Sequence, residues 1–167
     1  MNISLKVDTS GALLAGKGPD VVQTALDGAI TEATMLLLAE VKKRTPQGVF
    51  GAQGRLLGSI NAEVSGKGTP MVRGEVASVQ KYAEVVEKGL AAGKGIPLDA
   101  LTGWIQVKLG ISSAKEIRQV AFLISRKAKL KGIEGHYMFE KALNDNLSRV
   151  EAIFERQGLR IAQELSA

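Results

Sequence analysis

The sequence has no cysteine among its 167 residues. Disulfides, thiolate zinc sites and a cysteine nucleophile are therefore excluded, and with them the class of small secreted proteins held together by disulfides. Aromatic residues make up only 4 % of the chain, so the core must consist mainly of aliphatic side chains and alanine. Long apolar runs are absent too: ATMLLLAEV is shorter than the roughly 20 residues of a membrane span and is closed by Lys42, Lys43 and Arg44.

The N-terminus and the overall composition indicate where the chain is made. MNISLKVD lacks the apolar core of a signal peptide. Hydrophobic residues make up 45 % of the chain and charged residues 23 %, which is ordinary for a soluble globular protein. We therefore expect a soluble protein that is made in the cytoplasm and does not enter a membrane.

Residues for catalysis are also scarce. His136 is the single histidine, and it precedes the last predicted helix without paired carboxylates nearby, as a cap or surface residue would. Glu84 and Glu87 lie three residues apart, a spacing that suits a general acid and base on one helix face. Lys81 and Lys88 flank them, however, and favour a solvated charged face. No Ser/His/Asp set can be named. We predict that the chain is not an enzyme and holds neither a cofactor nor a metal.

Hydrophobic periodicity predicts an α+β fold. Alternating apolar residues predict a strand at Ile3–Val7 and an antiparallel hairpin around GKGTP, with strands that begin at Leu56 and Met71. Spacings of three and four residues predict a long helix from Asp20 to Arg44 and a second long helix that carries the stripe from Phe139 to Leu165. Shorter helices are expected at QKYAEVVEKG, Leu98–Leu109 and Ser113–Lys131. The expected architecture is a small antiparallel sheet with a β-hairpin, packed by two long helices and additional shorter helices.

The stretch RTPQGVFGAQGRLLGSI resembles a phosphate-binding glycine loop. Phosphate loops run in the order strand, glycine loop, helix, because the anion sits on the free N–H groups of the helix N-terminus. Here the predicted order is helix, loop, strand, with no helix expected after Gly54, and the lysine followed by serine or threonine is missing. The stretch is therefore interpreted as a glycine-rich connection rather than a nucleotide site.

The net charge of +5 is concentrated in one segment. Ser113–Lys131 contains six basic residues and a single acidic one, Glu116, so the remainder of the chain is neutral. On a helical wheel, one face is apolar and the opposite face carries Lys115, Arg118, Arg126 and Lys129. Such a face can neutralise phosphates or meet an acidic partner, and it can equally be a lysine-rich solvent face. Phe122 falls inside the basic stripe, which is unusual for a face that only meets water.

Six short motifs occur in an order that resembles a known family. They are Arg44-Thr45-Pro46, Gly54-Arg55-Leu56, Ser59-Ile60, Tyr82-Ala83, Val86-Glu87 with Gly89, and the segment Phe139 to Leu143. Together they resemble the tail-completion (neck) proteins of long-tailed bacteriophages, a family also described as minor tail or head–tail joining proteins. The resemblance covers most of the chain from Asp20 onward. It departs from the family in a longer glycine loop and in a helical elaboration at about 98–131.

The resemblance implies a single tail-completion-like domain over residues 1–167 and a structural role in the virion. Members of that family assemble as a homo-oligomeric ring, often a hexamer, between the head connector and the tail terminator or tail tube, with non-specific passage of DNA. QGVFGAQGR and LAAGKGIP are the expected docking loops. The implied protein-interface residues are Arg44, Val49, Phe50, Gln53, Arg55, Tyr82 and Glu87, and the basic helix supplies Lys115, Arg118, Arg126 and Lys129 for DNA or an acidic partner. The alternative function is a stand-alone nucleic-acid-binding protein that uses helix 113–131.

Overall fold

The computed structural model describes residues 2–8, 18–46 and 55–166, and the fold is α+β, as predicted. Its contacts cluster into two compact units, here called unit 1 (residues 1–45, 59–79 and 138–167) and unit 2 (residues 46–58 and 80–137). In chain order the elements are β1 (Asn2–Asp8), α1 (Pro19–Arg44), α2 (Arg55–Ser59), β2 (Ile60–Ser65), β3 (Met71–Ser78), α3 (Ala83–Lys88), β4 (Gly89–Leu90), α4 (Leu98–Leu109), α5 (Ala114–Lys131), β5 (Ile133–Glu134), α6 (Met138–Asn144) and α7 (Leu147–Ser166).

Unit 1 is built on a three-stranded antiparallel sheet in the order β1-β3-β2. The β2–β3 hairpin is the predicted one, and β1 adds to its other side, where Ile3 pairs with Val76. Ile3, Val72 and Val76 are all buried, since alternate residues of each strand point to the same face of a sheet. This apolar face is covered by α1, which contacts all three strands.

Helix α1 is the core helix of unit 1. Pro19 occupies its first turn, where the missing N–H costs no helical hydrogen bond, and basic residues fill its last turn. Its buried stripe packs against the sheet on one side and against α6 and α7 on the other. Within the described part of the chain, α1 alone is long and apolar enough to span a membrane by length and composition, a test that core helices of this kind also pass.

The C-terminal segment differs from the predicted continuous helix. It forms two helices, α6 and α7, with a turn at Asp145 and Asn146 between them. Asn146 is buried and donates from Nδ2 to the carbonyl oxygen of Ala142 (2.9 Å), while its own carbonyl accepts the N–H of Val150 (3.0 Å). Because the turn shifts the helical phase, Leu147 is 50 % exposed instead of continuing the buried stripe.

The start of the first hairpin strand was also predicted wrongly. Residues 55–59 form the short helix α2, so Leu56 is helical and strand β2 begins only at Ile60. The expectation that no helix follows Gly54 was therefore wrong. Nevertheless, α2 has only five residues and no lysine followed by serine or threonine precedes it, so the helix does not restore the phosphate-loop pattern.

Unit 2 contains the predicted helices α4 and α5, which pack on each other around a small core of their own. Leu101 and Ile105 of α4 and Ile117 and Ala121 of α5 are buried in it. These residues recur at four-residue steps on each helix, which is why the sequence pattern located both helices correctly. This helical pair corresponds to the elaboration expected at about 98–131, while the prediction of one domain over the whole chain stays a prediction.

Candidate interaction surface

The outer face of α5 carries every basic residue that the sequence nominated for DNA or an acidic partner. Lys115, Arg118, Arg126 and Lys129 are all exposed. The opposite side of the helix holds the buried residues Ile117, Ala121 and Ala128, as the wheel predicted. We call this outer side the cationic face of α5 and define it by those four basic residues together with Phe122.

The cations of this face have no acidic partner among the residues that the structure describes. The ion pairs of these described residues join side chains of α1, β3, α3, α7 and the turn after α6. The local excess of positive charge is therefore not compensated within unit 2, and it attracts anions over a distance of about 8–10 Å at physiological ionic strength. The cationic face is the strongest electrostatic feature of the described chain.

Apolar side chains lie within the same surface. Phe122 is 56 % exposed one turn from both Arg118 and Arg126, and the next residue, Leu123, is 61 % exposed. Leu130, two turns further along α5, is 69 % exposed. Near the start of the helix, Leu98, Ala114, Lys115, Arg118, Gln119 and Phe122 line a shallow hollow. Contiguous exposed apolar surface rimmed by charge is typical of contact surfaces rather than of purely solvated helices.

The segment LAAGKGIP, one of the two expected docking loops, lies against α5. Gly93 donates its N–H to the carbonyl of Lys129 at 2.7 Å, and Ser125 donates from its hydroxyl to the carbonyl of Ile96 at 2.7 Å. The residues between these anchor points are exposed, from Gly93 to Gly95. The loop and the cationic face therefore belong to one surface region of unit 2.

Arg44 lies within an internal polar network of unit 1. Its guanidinium bonds to Glu40 one turn earlier in α1 and, through Nη2, to the carboxylate of Asp145 at 3.0 Å. Arg149 approaches the other oxygen of Glu40 at 3.5 Å. The hydrogen bond from Arg44 lowers the pKa of the Glu40 carboxyl, and the same bond raises the pKa of Arg44. Arg44 therefore ties the end of α1 to the turn after α6.

Thr45 makes a second tie between the same two segments. It is buried, and its hydroxyl contacts the carbonyl of Val41 at 2.7 Å and the sulfur of Met138 at 3.4 Å. A threonine hydroxyl that bonds back to the preceding turn ends a helix without leaving a buried polar group unpaired. The Arg-Thr-Pro motif thus contacts Met138 and Asp145, which lie on either side of the late segment Phe139 to Leu143, although 93 residues separate Thr45 from Met138.

The two interface candidates of unit 2 occupy different environments. Tyr82 is 43 % exposed just before α3, so its ring is accessible in the isolated chain. Glu87 is fully buried, and its backbone carbonyl accepts the N–H of Tyr137 at 3.0 Å. Burial favours a role for Glu87 inside the subunit, and its predicted role at a subunit interface stays a prediction.

The backbone conformation at Gly89, which ends the Val-Glu-x-Gly motif, favours glycine at this position. Its φ is +82°, and a Cβ at this position would lie 2.2 Å from the carbonyl oxygen of Ile133. Gly135, the residue after β5, makes a similar approach to the carbonyl of Glu87. Only glycine combines the backbone conformation of Gly89 with such close contact. The glycine that ends the Val-Glu-x-Gly motif therefore permits the tight β4–β5 ladder.

The remaining interface candidates cannot be placed. Val49, Phe50 and Gln53 lie outside the described residues, and so does the side chain of Arg55. Sequence reasoning missed two partners of Arg44: Glu40, which the i,i+4 spacing on a helix could have indicated, and Asp145, for which no local signal exists because the contact is long-range. Over the ranges 2–8, 18–46 and 55–166, no group of three or more His, Cys, Asp or Glu side chains is arranged to hold a metal ion.

Comparisons of this chain with models of protein families, with curated proteins and with solved structures find no match. The contacts of its own residues therefore carry the functional argument.

Proposed function

We propose that this chain is a structural protein of the phage neck, which completes the tail and joins it to the head connector as a ring. The observation that carries the proposal is the contact of the Arg-Thr-Pro motif with the residues on both sides of the late segment Phe139 to Leu143. Thr45 bonds to Met138, Arg44 bonds to Asp145, and α1 packs against α6, so two of the six ordered motifs lie at one packed junction. This proximity supports a resemblance that was read from the order of the motifs alone.

The other motifs also have internal structural roles that fit the same proposal. Ser59 shares a hydrogen bond of 2.7 Å with Ser78 at the open end of the β2–β3 hairpin, and Ile60 is completely buried. Gly89 permits the close ladder between β4 and β5. On this proposal the six motifs stabilise the fold of the single subunit. Loops and exposed helix faces, whose sequences vary more readily, then form the contacts with other subunits.

A ring subunit needs two different complementary surfaces, because each copy contacts its neighbours head to tail. Unit 2 offers one such surface in the cationic face of α5 with the adjoining LAAGKGIP loop. A cationic surface on a ring through which DNA passes also lowers the repulsion between the ring and its cargo without requiring specific binding. The proposed partners are copies of this chain, the head connector, and the tail terminator or tail tube.

The test is a deletion of Gly48–Gln53 from the expected docking loop in a phage that carries this gene. Filled heads and separate tails should accumulate, while the purified variant should unfold at the same denaturant concentration as the parent chain. Lys67→Ser in the exposed hairpin turn is the matched control and should leave joining intact. Normal infectious particles from the deletion, counted by plaque titre and negative-stain microscopy, would contradict the proposal.

The unpaired cations of α5 also favour a second candidate, a stand-alone nucleic-acid-binding protein. In that case the isolated monomer should bind duplex DNA of arbitrary sequence, and the logarithm of its affinity should fall linearly with the logarithm of the salt concentration, with a slope of roughly 0.9 per phosphate contact. Charge reversal at Arg118, Arg126 and Lys129 should abolish that binding. A neck subunit requires no such affinity, so filter binding at several salt concentrations separates the two candidates.

A further inference from the structure

The outer face of α7 is acidic and apolar, the counterpart in charge of α5. Val150 and Ile153 face inward and are buried. On the opposite side, Glu151 and Glu155 follow one another by one turn, with Leu147 one turn before them and Leu159 one turn after. These leucines are 50 % and 68 % exposed. We call this side the acidic face of α7.

The basic residues of α7 point away from that face. Arg149 pairs with Glu40 and Arg156 with Glu32, both on α1, and Arg160 pairs with Glu164 along the flank of the helix. Glu151 and Glu155 form no ion pair with any residue in the described ranges. The chain therefore carries two helix faces of opposite charge, one in each unit, and both contain exposed large apolar side chains.

We propose that the cationic face of α5 in one copy docks on the acidic face of α7 in a second copy. This inference rests on the proposed function as a ring and names the surface that joins its subunits. The contact is heterologous, because it joins unit 2 of one chain to unit 1 of the next, and each copy keeps one free face for a further neighbour. A closed ring or an open chain results from repeating it.

The spacing of the side chains matches on the two helices. Glu151 and Glu155 are separated by about 6 Å along the helix axis, and Arg126 and Lys129 by about 4.5 Å. When these pairs face each other, Phe122 lies one turn away and meets one of the two exposed leucines. Ion pairs and an apolar contact therefore form together, and burial of the aromatic ring protects the ion pairs from water.

The exposed apolar side chains of α5 favour a second copy of the chain over a nucleic acid as the partner of the cationic face. Phosphates would satisfy the cations, but they would leave Phe122, Leu123 and Leu130 exposed. The basic run RKAKLK (residues 126–131) also contains no aromatic residue on which a single-stranded base could stack. The acidic face of α7 offers the missing partners for both kinds of side chain.

The test uses two charge-reversed full-length chains. The first carries Arg126→Glu and Lys129→Glu, so the contacting charged pairs on α5 and on α7 are both acidic. The second carries Glu151→Lys and Glu155→Lys, so both contacting pairs are basic. Each chain alone should associate at least about tenfold more weakly than the parent in sedimentation velocity, because like charges oppose each other across the contact. An equimolar mixture should regain association as alternating copies, since every contact then joins opposite charges.

A matched control changes the net charge by the same amount as the reversal of α5, but on other surfaces. Lys67→Glu with Lys81→Glu should associate as the parent does. The absence of native cysteine permits a second measurement that detects weak contacts. A Leu130→Cys chain and an Ala152→Cys chain, which carry tags of different length, should form a mixed disulfide faster than a Leu130→Cys chain mixed with a Ser65→Cys chain, because Leu130 and Ala152 lie beside the proposed ion pairs.

Three results would overturn the proposal. The first is that the parent chain does not associate and that the two disulfide mixtures react at equal rates. The second is that the mixture of reversed chains fails to regain association, and the third is that reversal of α5 abolishes association while reversal of α7 does not. The last result, with salt-sensitive binding to duplex DNA, would assign the cationic face to nucleic acid. If rings form through another surface and phages with the reversed chains join heads to tails normally, the α5–α7 contact is wrong but the proposed function stands. If copies associate as proposed but phages that lack the gene still join heads to tails, the proposed function is wrong but the α5–α7 contact stands.

Discussion

The close packing of α1 on the sheet yields a sharp prediction about Gly74. This glycine lies in the middle of β3, paired with Leu5 on one side and Val64 on the other, on the face that α1 covers. A Cβ at this position would lie 1.9 Å from Thr34 Oγ1 and 3.2 Å from Ile30 Cγ2. Thr34 is only 1 % exposed, and its hydroxyl donates to the carbonyl of Ile30 at 2.6 Å, so it cannot turn away into water.

The magnitude follows from the two opposing effects of Gly74→Ala. Overpacking a buried contact costs about 1–3 kcal/mol. Replacing glycine stabilises by about 0.4–1 kcal/mol, because the unfolded chain loses conformational freedom. We therefore expect a net loss of about 1–2 kcal/mol in the free energy of unfolding. Thr34→Ala removes the clashing oxygen, so Gly74→Ala should cost about 1 kcal/mol less in the Thr34→Ala background than in the parent chain.

The assay is a double-mutant cycle by urea unfolding. The slope of the free energy of unfolding against urea concentration should be the same for all four chains. Gly28→Ala is the matched control, because a Cβ there meets nothing within 4 Å and the residue lies inside α1. It should stabilise the chain by up to about 1 kcal/mol. A Gly74→Ala variant as stable as the parent, or effects that add within about 0.5 kcal/mol, would refute the packing argument.

Three further predictions concern the remaining contacts. Arg44→Met should lower the free energy of unfolding by about 1–2 kcal/mol at pH 7, discounted because the arginine is partly solvated. The pKa of Glu40 is depressed below 4.5 in the folded state, so the stabilisation is present above pH 4.5 and is lost as the pH falls through the folded pKa. The difference in the free energy of unfolding between Arg44→Met and the parent should therefore shrink in acid. A constant difference down to pH 3 would contradict this. Gly89→Ala should destabilise the β4–β5 ladder by about 2 kcal/mol or more and accelerate hydrogen exchange at the N–H groups of residues 136 and 137, whereas unchanged exchange would exclude the close approach. Phe122→Ser should change the free energy of unfolding by less than about 0.5 kcal/mol, because the ring is already exposed. Ile117→Ala on the buried side of the same helix should cost about 2–4 kcal/mol. Equal losses for the two variants would place the Phe122 ring in the core.

The periodic helices were predictable because their signal is local. The bounds of α4 match the prediction at both ends, and those of α1 and α5 match within a residue. In each case an apolar stripe recurs every three or four residues, and a stop signal follows, such as Pro46 after α1 or Gly132 after α5. The basic outer face of α5 was predictable for the same reason, since a helix that buries Ile117 and Ala121 must expose the residues on its other side.

The tertiary structure decided what depends on long-range contact. That β1 joins β3 rather than β2 follows from pairing across roughly 70 residues of chain, for which no local pattern exists. The turn at Asp145 and Asn146 overrides a continuous helical stripe because Asn146 finds buried partners there, and it leaves Leu147 on the surface. Arg44 and Glu87 looked like surface residues in the sequence, yet one is held by Asp145 and the other is buried. The sequence by itself determined the helices, the hairpin and the position of the excess charge, because each of these arises from neighbouring residues. The structure alone decided which motif residues are internal and which faces remain to bind, because burial depends on the whole chain.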